Sequence, residues 1–173
     1  ARFTSLVLES SSPGLKTPEE RAARRRADES LACRLEAVDE GNEEDEDNQK
    51  DFTAFLEEWH RQPLFASLAG YDGLIAKLVV ERVNNNPGEL AKSLRGMGTG
   101  SQPSLWEELS NLRTPTLAVV GELDEKFTGI ARKMSEASSP KVESFVVGGA
   151  GHNVHLEKPE EFVRLVKYAL GAG

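Results

Sequence analysis

The sequence predicts an α/β protein: a mainly parallel sheet with flanking helices, interrupted by a helical insertion. Two apolar runs of strand length, 116–121 and 142–147, alternate with helical segments in the final third of the chain. Neither run alternates strictly between polar and apolar residues, which is typical of parallel strands covered on both faces. Strands that alternate with helices indicate β/α units. A third short apolar run, 3–9, precedes the insertion and predicts a further strand.

The first predicted helix has a clear start signal. Thr17 is a good N-cap, Pro18 stands at the first helical position, and acids follow at 19 and 20. This helix is expected to run to about Leu35 or Val38. It opens a long helical region between the first strand and the second.

A second amphipathic helix follows, ending before Pro63. Its apolar residues recur at spacings of three and four and are Phe52, Phe55, Leu56 and Trp59. Residues 64–112 are predicted to be mostly helical, with breaks at 84–88 and 96–100. Two further helices are expected in the final third, over about 126–137 and 159–170.

The predicted elements divide the chain into three parts. They are a core strand and loop at 1–12, a helical cap or lid at 13–112, and a C-terminal β/α core at 113–173. Inside the cap, the stretch 39–51 holds eight acids and one base, so it carries −7 of the net charge of −8. Like charges repel and cannot bury apolar surface, so this stretch is predicted to be a solvated, dispensable loop.

Composition excludes several classes of protein. A net charge of −8 disfavours nucleic-acid partners, because an acidic chain cannot neutralise phosphates in bulk. A run of about 18 apolar residues, as a membrane-spanning helix would need, does not occur. Cys33 is the single cysteine, which rules out an internal disulfide, and no Cys/His cluster has zinc-like spacing. The first residues do not resemble a signal peptide.

Two titratable residues follow neighbouring strands of the predicted sheet. Asp124 comes just after 116–121, and His152 lies in the glycine-rich turn after 142–147. An acid after one strand and a histidine after the next match the later part of the order Ser, Asp/Glu, His of α/β-hydrolases. In that chemistry the carboxylate fixes the imidazole tautomer while the other ring nitrogen serves the nucleophile. His155 is a rival, but it lies closer to the last helix, so His152 is favoured.

The nucleophile of such a triad is not evident in the sequence. No Gly-x-Ser-x-Gly occurs, and the serine at 101 has no apolar strand before it. Serines 10–12 follow a strand but lack the helix and the second glycine. In the hydrolase topology, the strand 3–9 would come after the nucleophile. We therefore expect the chain to be the C-terminal part of an α/β-hydrolase fold, partnered by an N-terminal half that would cover an open edge of the strand 3–9.

Six groups of residues carry a resemblance to a known family. They are Pro13-Gly14-Leu15, Glu20-Arg21-Ala22-Ala23-Arg24 with Asp28, Trp59-x-x-Gln62-Pro63-x-Phe65-Ala66-Ser67-Leu68, Arg82-x-Asn84-Asn85-Asn86, Gly121-Glu122-Leu123-Asp124-Glu125-Lys126-Phe127, and Ala150-Gly151-His152-Asn153-x-His155-x-Glu157-x-Pro159. Together they closely resemble the MenH-type 2-succinyl-6-hydroxy-2,4-cyclohexadiene-1-carboxylate synthases. The resemblance covers about 3–170 apart from the acidic stretch, and its arginine, tryptophan and asparagine motifs are the specific part.

The resemblance implies a lyase that eliminates pyruvate from a polycarboxylate substrate, without a metal or organic cofactor. Asp124 and His152 would be catalytic, polarising a serine that acts as a base. Arg24 and Arg82 match positions that bind the substrate carboxylates, since planar guanidinium groups suit them. Trp59 matches a tryptophan that lines the pocket. Phe127 lies beside the catalytic acid in its motif and is also expected to bind substrate.

Other functions are left open by the sequence. A related esterase or C–C hydrolase would share Asp124 and His152, although the carboxylate-binding arginines argue against it. A non-catalytic remnant that binds a partner through its open sheet edge is a third possibility, favoured by the absent serine. The acidic insertion resembles that of plant PHYLLO-type fusion proteins of phylloquinone synthesis, which implies a chloroplast location, with the cytoplasm as the alternative.

Overall fold

The computed structural model describes residues 3–39, 46–138 and 140–171. Within those ranges, no single helix is long and apolar enough to cross a membrane. Two consecutive helices, Pro63–Gly70 and Leu74–Arg82, have the length and the apolar composition of a membrane span only when they are taken together.

Contacts divide the chain into two compact units, each of which is discontinuous in sequence. The first unit comprises Ala1–Pro13, Pro63–Tyr71 and Leu105–Gly173, and the second comprises Gly14–Gln62 and Asp72–Ser104. Two segments that the sequence assigned to the cap, 63–71 and 105–112, therefore fall in the same unit as the strands.

The first unit is built on a parallel sheet. Strands β1 (Leu6–Glu9), β2 (Thr116–Gly121) and β3 (Val142–Val147) lie in that order, with β2 in the centre. Leu6 pairs with Thr116, and Thr116 pairs with Val142 on its other side. Every residue of β2 is buried, as its continuous apolar run predicted. The predicted parallel sheet is confirmed, and β1 begins three residues later than expected.

Hydrophobic residues pack on both faces of this sheet. Side chains alternate across a strand, so Ala118 and Val120 face one layer while Leu117 and Val119 face the other. Helix α5 (Glu125–Ser138) contributes Ala131 and Met134 to the first layer. Helix α7 (Pro159–Ala169) contributes Leu165 to the second layer. The two layers hold β2 and β3 in place. Polar residues follow the carboxyl end of each of these strands.

The second unit is helical. It contains α1 (Pro18–Asp39), α2 (Glu46–His60), α3 (Leu74–Arg82) and α4 (Pro87–Met97). Its buried core is formed by Ala32, Leu35, Phe52, Leu56, Val79 and Ala91. The amphipathic helices predicted for this region are confirmed.

The N-terminus of α1 is capped as its sequence predicts. The Glu20 main-chain N–H donates to Thr17 Oγ1 at 3.1 Å, and the Thr17 N–H donates to Glu20 Oε2 at 2.9 Å. This reciprocal capping box satisfies two donors that a helix start would otherwise leave without a partner.

The predicted acidic loop at 39–51 is wrong at both ends. Asp39 is the last residue of α1, and residues 46–51 belong to the first turns of α2. A helix can begin inside an acidic stretch because the start of a helix carries a partial positive charge. The rest of the predicted loop, 40–45, lies outside the described residues. A short helix, α6 (Val154–Glu157), was not predicted.

Candidate active site

The loops that follow β2 and β3 are bonded to each other at the carboxyl edge of the sheet. The Leu123 N–H donates to the Ala150 carbonyl at 2.8 Å, and the Glu122 N–H donates to the Val147 carbonyl at 3.0 Å. Gly149 turns the second loop with φ of 64°, a conformation that glycine adopts without strain. Residues 28 positions apart in sequence are thereby brought side by side.

Asp124 and His152 form a hydrogen-bonded pair between these loops. His152 Nδ1 lies 2.6 Å from Asp124 Oδ2. A carboxylate oxygen accepts, so Nδ1 carries the hydrogen and Nε2 is the nitrogen left to take a proton. Asp124 is 8% exposed, and its other oxygen, Oδ1, accepts from the Phe127 N–H at 3.2 Å. The pair therefore has the geometry of a histidine base with its orienting acid.

Two aromatic rings contact the imidazole of His152. The centroid of the Phe127 ring lies 4.8 Å from that of the imidazole, in a tilted arrangement. The Phe65 ring meets the imidazole edge-on with centroids 6.0 Å apart. These contacts restrict the rotation of the imidazole and keep one side of it apolar.

A cavity of about 270 Å³ opens beside the pair within the first unit. Its lining includes Ser67, Leu123 and Gly151 in addition to both members of the pair. A cavity with an apolar wall and a few convergent polar groups is the usual form of a small-molecule site.

The rival histidine, His155, has a different partner. Its Nδ1 lies 2.8 Å from Glu9 Oε2, and its main-chain N–H donates to Glu9 Oε1 at 2.9 Å. His155 therefore joins the start of α6 to the end of β1, and His152 is the histidine that pairs with Asp124.

Arg24, Trp59 and Arg82, the other predicted site residues, lie in the second unit. Arg24 Nε donates to Asp28 Oδ1 at 2.7 Å. Asp28 is 2% exposed, and within the described part of the chain its Oδ2 has no partner. Because Asp28 holds Arg24 by Nε, the outer edge of the guanidinium retains its donors for a carboxylate.

Arg82 contacts a buried histidine. Its guanidinium donates to Nε2 of His60, whose Nδ1 lies 2.6 Å from the Leu56 carbonyl. An arginine offers only hydrogens, so Nε2 accepts and Nδ1 donates, which makes His60 neutral. Burial lowers the pKa of His60 below 6.5; the hydrogen bond to Leu56 opposes this shift and the charge of Arg82 adds to it.

Trp59 lies near the end of α2 and is partly buried. Together with Phe55 and Arg34 it lines a small cavity of about 30 Å³ within the helical unit. The Arg34 guanidinium lies over the Phe55 ring and pairs with Glu58 at 2.7 Å. The side chains around Trp59 are thus both aromatic and charged.

The structure identifies four residues around the site residues that sequence reasoning did not single out. Phe65 and Ser67 lie in the segment Pro63–Gly70, Glu157 ends α6, and His60 holds Arg82. Phe65, Ser67 and Glu157 stand in the motifs that carry the resemblance, which was the available signal. Within the described ranges, no group of three or more His, Cys, Asp or Glu residues could hold a metal ion.

Comparison with known proteins agrees with this geometry. A Bacillus subtilis protein with the provisional name 2-succinyl-6-hydroxy-2,4-cyclohexadiene-1-carboxylate synthase is 39% identical over 167 residues, which cover 95% of this chain and 56% of the relative. The synthase of that name from Escherichia coli O157:H7 is 33% identical over 92% of this chain and 55% of its own length. The structure of MenH from S. aureus matches 98% of this chain with a TM-score of 0.82 and 32% identity, over 59% of its own length.

The chain is a homologue of the MenH-type synthases. It spans little more than half the length of the curated relatives it matches. No protein-family model matches it.

Other solved structures share the fold at lower identity. A thermophilic esterase from Thermogutta terrifontis matches 98% of the chain with a TM-score of 0.62 and 22% identity, over 56% of its length. An α/β-hydrolase enzyme from a deep-sea metagenome matches 97% with a TM-score of 0.65 and 16% identity, over 56% of its length. The chain therefore shares the α/β-hydrolase fold, as the order of Asp124 and His152 after neighbouring strands predicted.

Proposed function

We propose that the protein containing this chain is a carbon–oxygen lyase that releases pyruvate from 2-succinyl-5-enolpyruvyl-6-hydroxy-3-cyclohexene-1-carboxylate. The other product is 2-succinyl-6-hydroxy-2,4-cyclohexadiene-1-carboxylate. The observation that carries this proposal is the 2.6 Å hydrogen bond between His152 and Asp124, in a chain homologous to the MenH-type synthases.

The bonds that change follow from the structures of substrate and product. Ring carbon 2 carries the succinyl ketone, which makes its proton acidic. Loss of that proton forms a double bond between carbons 2 and 3, moves the existing one to carbons 4 and 5, and expels the enolpyruvyl oxygen from carbon 5. The enolpyruvate then takes a proton at its methylene carbon and becomes pyruvate. The reaction requires a base, but it consumes no water.

In this scheme the His152–Asp124 pair provides the base. Asp124 holds Nδ1–H and stabilises the imidazolium, so Nε2 can receive a proton as the ring carbon loses its own. The resemblance assigns the first contact with that proton to a serine polarised by His152. No Gly-x-Ser-x-Gly occurs in these 173 residues, so we propose that another part of the complete reading frame supplies the serine. Neither a metal nor an organic cofactor is needed.

Substrate binding is proposed for Arg24, Arg82 and Trp59. The substrate carries several carboxylates, and an arginine binds a carboxylate with two parallel hydrogen bonds. The hydrogen bonds to Asp28 and His60 support this role because they fix each guanidinium by one side only. Phe127, which contacts the imidazole of His152, would supply apolar contact with the substrate. The resemblance implies the same role for Trp59.

The test is a coupled assay of pyruvate release by the product of the complete reading frame. Replacing His152 with Ala or Asp124 with Asn should lower kcat by at least about a hundredfold, the usual contribution of a positioned general base. Glu160→Gln, at an exposed position of α7, is the matched control and should retain the parent rate. Hydrolysis of simple aryl esters without pyruvate release would instead establish an esterase and overturn the proposal.

The arginines are tested by their effect on KM. Arg24→Gln and Arg82→Gln should each raise KM by about tenfold or more, because a charge-assisted hydrogen bond contributes about 1.5–3 kcal/mol. Arg26→Gln, an exposed change on the same helix as Arg24, should leave KM unchanged. An unchanged KM in all three variants would remove the arginines from the substrate site.

Supply of the product to menaquinone synthesis is supported by the bacterial relatives. A role in phylloquinone synthesis and a chloroplast location rest on the resemblance to plant fusion proteins. Immunolocalisation of the complete product in its source cells tests the location. Staining confined to plastids would support it, and staining of the cytoplasm would overturn it.

A further inference from the structure

Glu157, the last residue of α6, is a buried carboxylate that brackets the catalytic histidine. It is 4% exposed. Its Oε2 accepts from the Gly151 N–H at 2.8 Å, and its Oε1 accepts from the Asn153 N–H at 3.2 Å. One side chain therefore binds the main chain immediately before and immediately after His152.

The carboxylate of Glu157 accepts from a third donor. Ser67 Oγ donates to Glu157 Oε1 at 3.1 Å, across 90 residues of sequence. All three partners are donors, as an ionised carboxylate requires, and a buried carboxylate is costly unless it is satisfied in this way. The carboxylate thus ties α6, the His152 loop and the segment 63–70 together at one point.

The packing around Gly151 leaves this loop little freedom. A Cβ on Gly151 would overlap the Ser67 hydroxyl, would lie 2.6 Å from Ser67 Cβ and 3.1 Å from Glu157 Oε1. Real Cβ atoms essentially never approach another heavy atom within 3.0 Å. The main chain before His152 is therefore held between Ser67 and Glu157.

The other side of the His152 main chain is also bonded. Ser10 Oγ donates to the His152 carbonyl at 2.7 Å. With Glu157 on the flanking N–H groups and Ser10 on the carbonyl, the backbone position of His152 is determined from two directions. Its ring is then placed by Asp124 and Phe127.

We infer that Glu157 is a positioning residue, which acts on the reaction by holding the imidazole of His152 within hydrogen-bond distance of Asp124. It touches neither substrate nor the reacting atoms in this scheme. Catalytic groups need to be held within about 0.5 Å of their productive positions, so a loosened loop would weaken the pair even where the fold is intact. The effect on the His152–Asp124 hydrogen bond is independent of the reaction, whereas the effect on rate rests on the proposed function.

The first test uses this chain and does not require activity. In protein labelled with ¹⁵N at histidine, the Nδ1–H of His152 should give a far-downfield proton signal, assigned by its loss in His152→Gln. Glu157→Gln replaces one of the two acceptor oxygens with an NH₂ group, which would face a donor and could not accept from it, so the signal should broaden or disappear. The matched control is Glu160→Gln on α7, which should leave the signal unchanged. Circular dichroism and urea unfolding establish whether each variant is folded.

Ser67→Ala supplies the test if Glu157→Gln does not fold. Loss of the Ser67 hydroxyl removes one of three donors to Glu157 and should broaden the His152 signal partially, while the helical content stays that of the parent. A sharp, unshifted His152 signal in folded Glu157→Gln or in Ser67→Ala would overturn the inference.

The second test uses the product of the complete reading frame. Glu157→Gln should lower kcat for pyruvate release by about a hundredfold, as small displacements of catalytic groups do, while KM changes by less than about twofold. A purely structural defect would instead reduce the amount of folded enzyme and leave kcat per folded molecule unchanged, which would overturn the inference. If the parent releases no pyruvate, the proposed lyase activity fails, and the spectroscopic result still decides the role of Glu157.

Discussion

Arg82 donates a hydrogen bond to Nε2 of His60, a buried histidine that follows Trp59 directly in the sequence. This bond exists only while His60 is neutral, because a protonated imidazole offers no acceptor. A residue predicted to bind substrate thus depends on the protonation state of a residue that is 1% exposed.

His60 should make the stability of the chain depend on pH. Burial lowers its pKa below 6.5 in the folded state, so the unfolded chain takes up a proton first as the pH falls. The contribution of neutral His60 to the free energy of unfolding is complete above about pH 6.5, and it is lost as the pH falls through the lowered pKa of this residue. Urea unfolding at about pH 7.5 and about pH 5.5 should therefore show a larger loss in the parent than in His60→Gln. Equal losses would contradict this assignment.

Substitution of Gly151 should be strongly destabilising. Gly151→Ala places a Cβ 2.6 Å from Ser67 Cβ, and overpacking typically costs about 1–3 kcal/mol in the free energy of unfolding. The double variant Gly151→Ala, Ser67→Gly should recover part of that loss. Gly129→Ala is the control, because nothing lies near its Cβ on α5, and it should stabilise by about 0.5–1 kcal/mol. A neutral Gly151→Ala would be incompatible with the packing described.

Ser10 has a left-handed backbone conformation, with φ of 41°, the one such non-glycine residue within the described ranges. This conformation costs a residue with a Cβ about 1–2 kcal/mol. Ser10→Ala keeps the strain and loses the hydrogen bond to His152, whereas Ser10→Gly loses the bond but relieves the strain. Chemical denaturation should find Ser10→Gly more stable than Ser10→Ala by about 1 kcal/mol. The reverse order would argue against strain at this position.

The triple asparagine should contribute to structure through Asn86. Asn86 is the N-cap of α4, and its Oδ1 accepts from the Glu89 N–H at 2.8 Å. Asn86→Ala should lower the free energy of unfolding by about 1 kcal/mol. Asn84→Ala, two positions earlier, should stay within about 0.5 kcal/mol of the parent. Thermal denaturation of both variants makes the comparison. Equal losses of stability would show that the cap formed by Asn86 is not their cause.

Local signals were sufficient for the strands, for most of the helices and for the Asp124–His152 pair. The buried run at 116–121 and the capped helix from Pro18 follow from periodicity and capping alone. Asp124 and His152 could be paired because the carboxyl ends of neighbouring parallel strands meet at one edge. The loop predicted for the acidic stretch was wrong because that prediction considered only the repulsion between like charges. Acids in the first turn of a helix also interact favourably with its partial positive charge.

Ser67 and Glu157 stand in motifs of the resemblance, but the roles of the supporting residues could not be predicted, because these roles arise from tertiary contacts. Ser67 and Glu157 are 90 residues apart, and neither has a local pattern that announces the other. His60 sits among apolar residues of α2, and only the fold brings Arg82 to it. Sequence alone identifies the groups that carry chemistry more readily than the groups that hold them.

The pairing of β1 with β2 has a consequence for the kinetics of folding. Leu6 and Thr116 are partners across about 110 residues, whereas β2 reaches β3 within about 26. Closing the longer loop costs about 1.3 kcal/mol more in chain entropy, as (3/2)RT ln n predicts. The β2–β3 pair is therefore expected to form early and β1 to dock late, bringing Ser10 to the His152 carbonyl in one of the last steps.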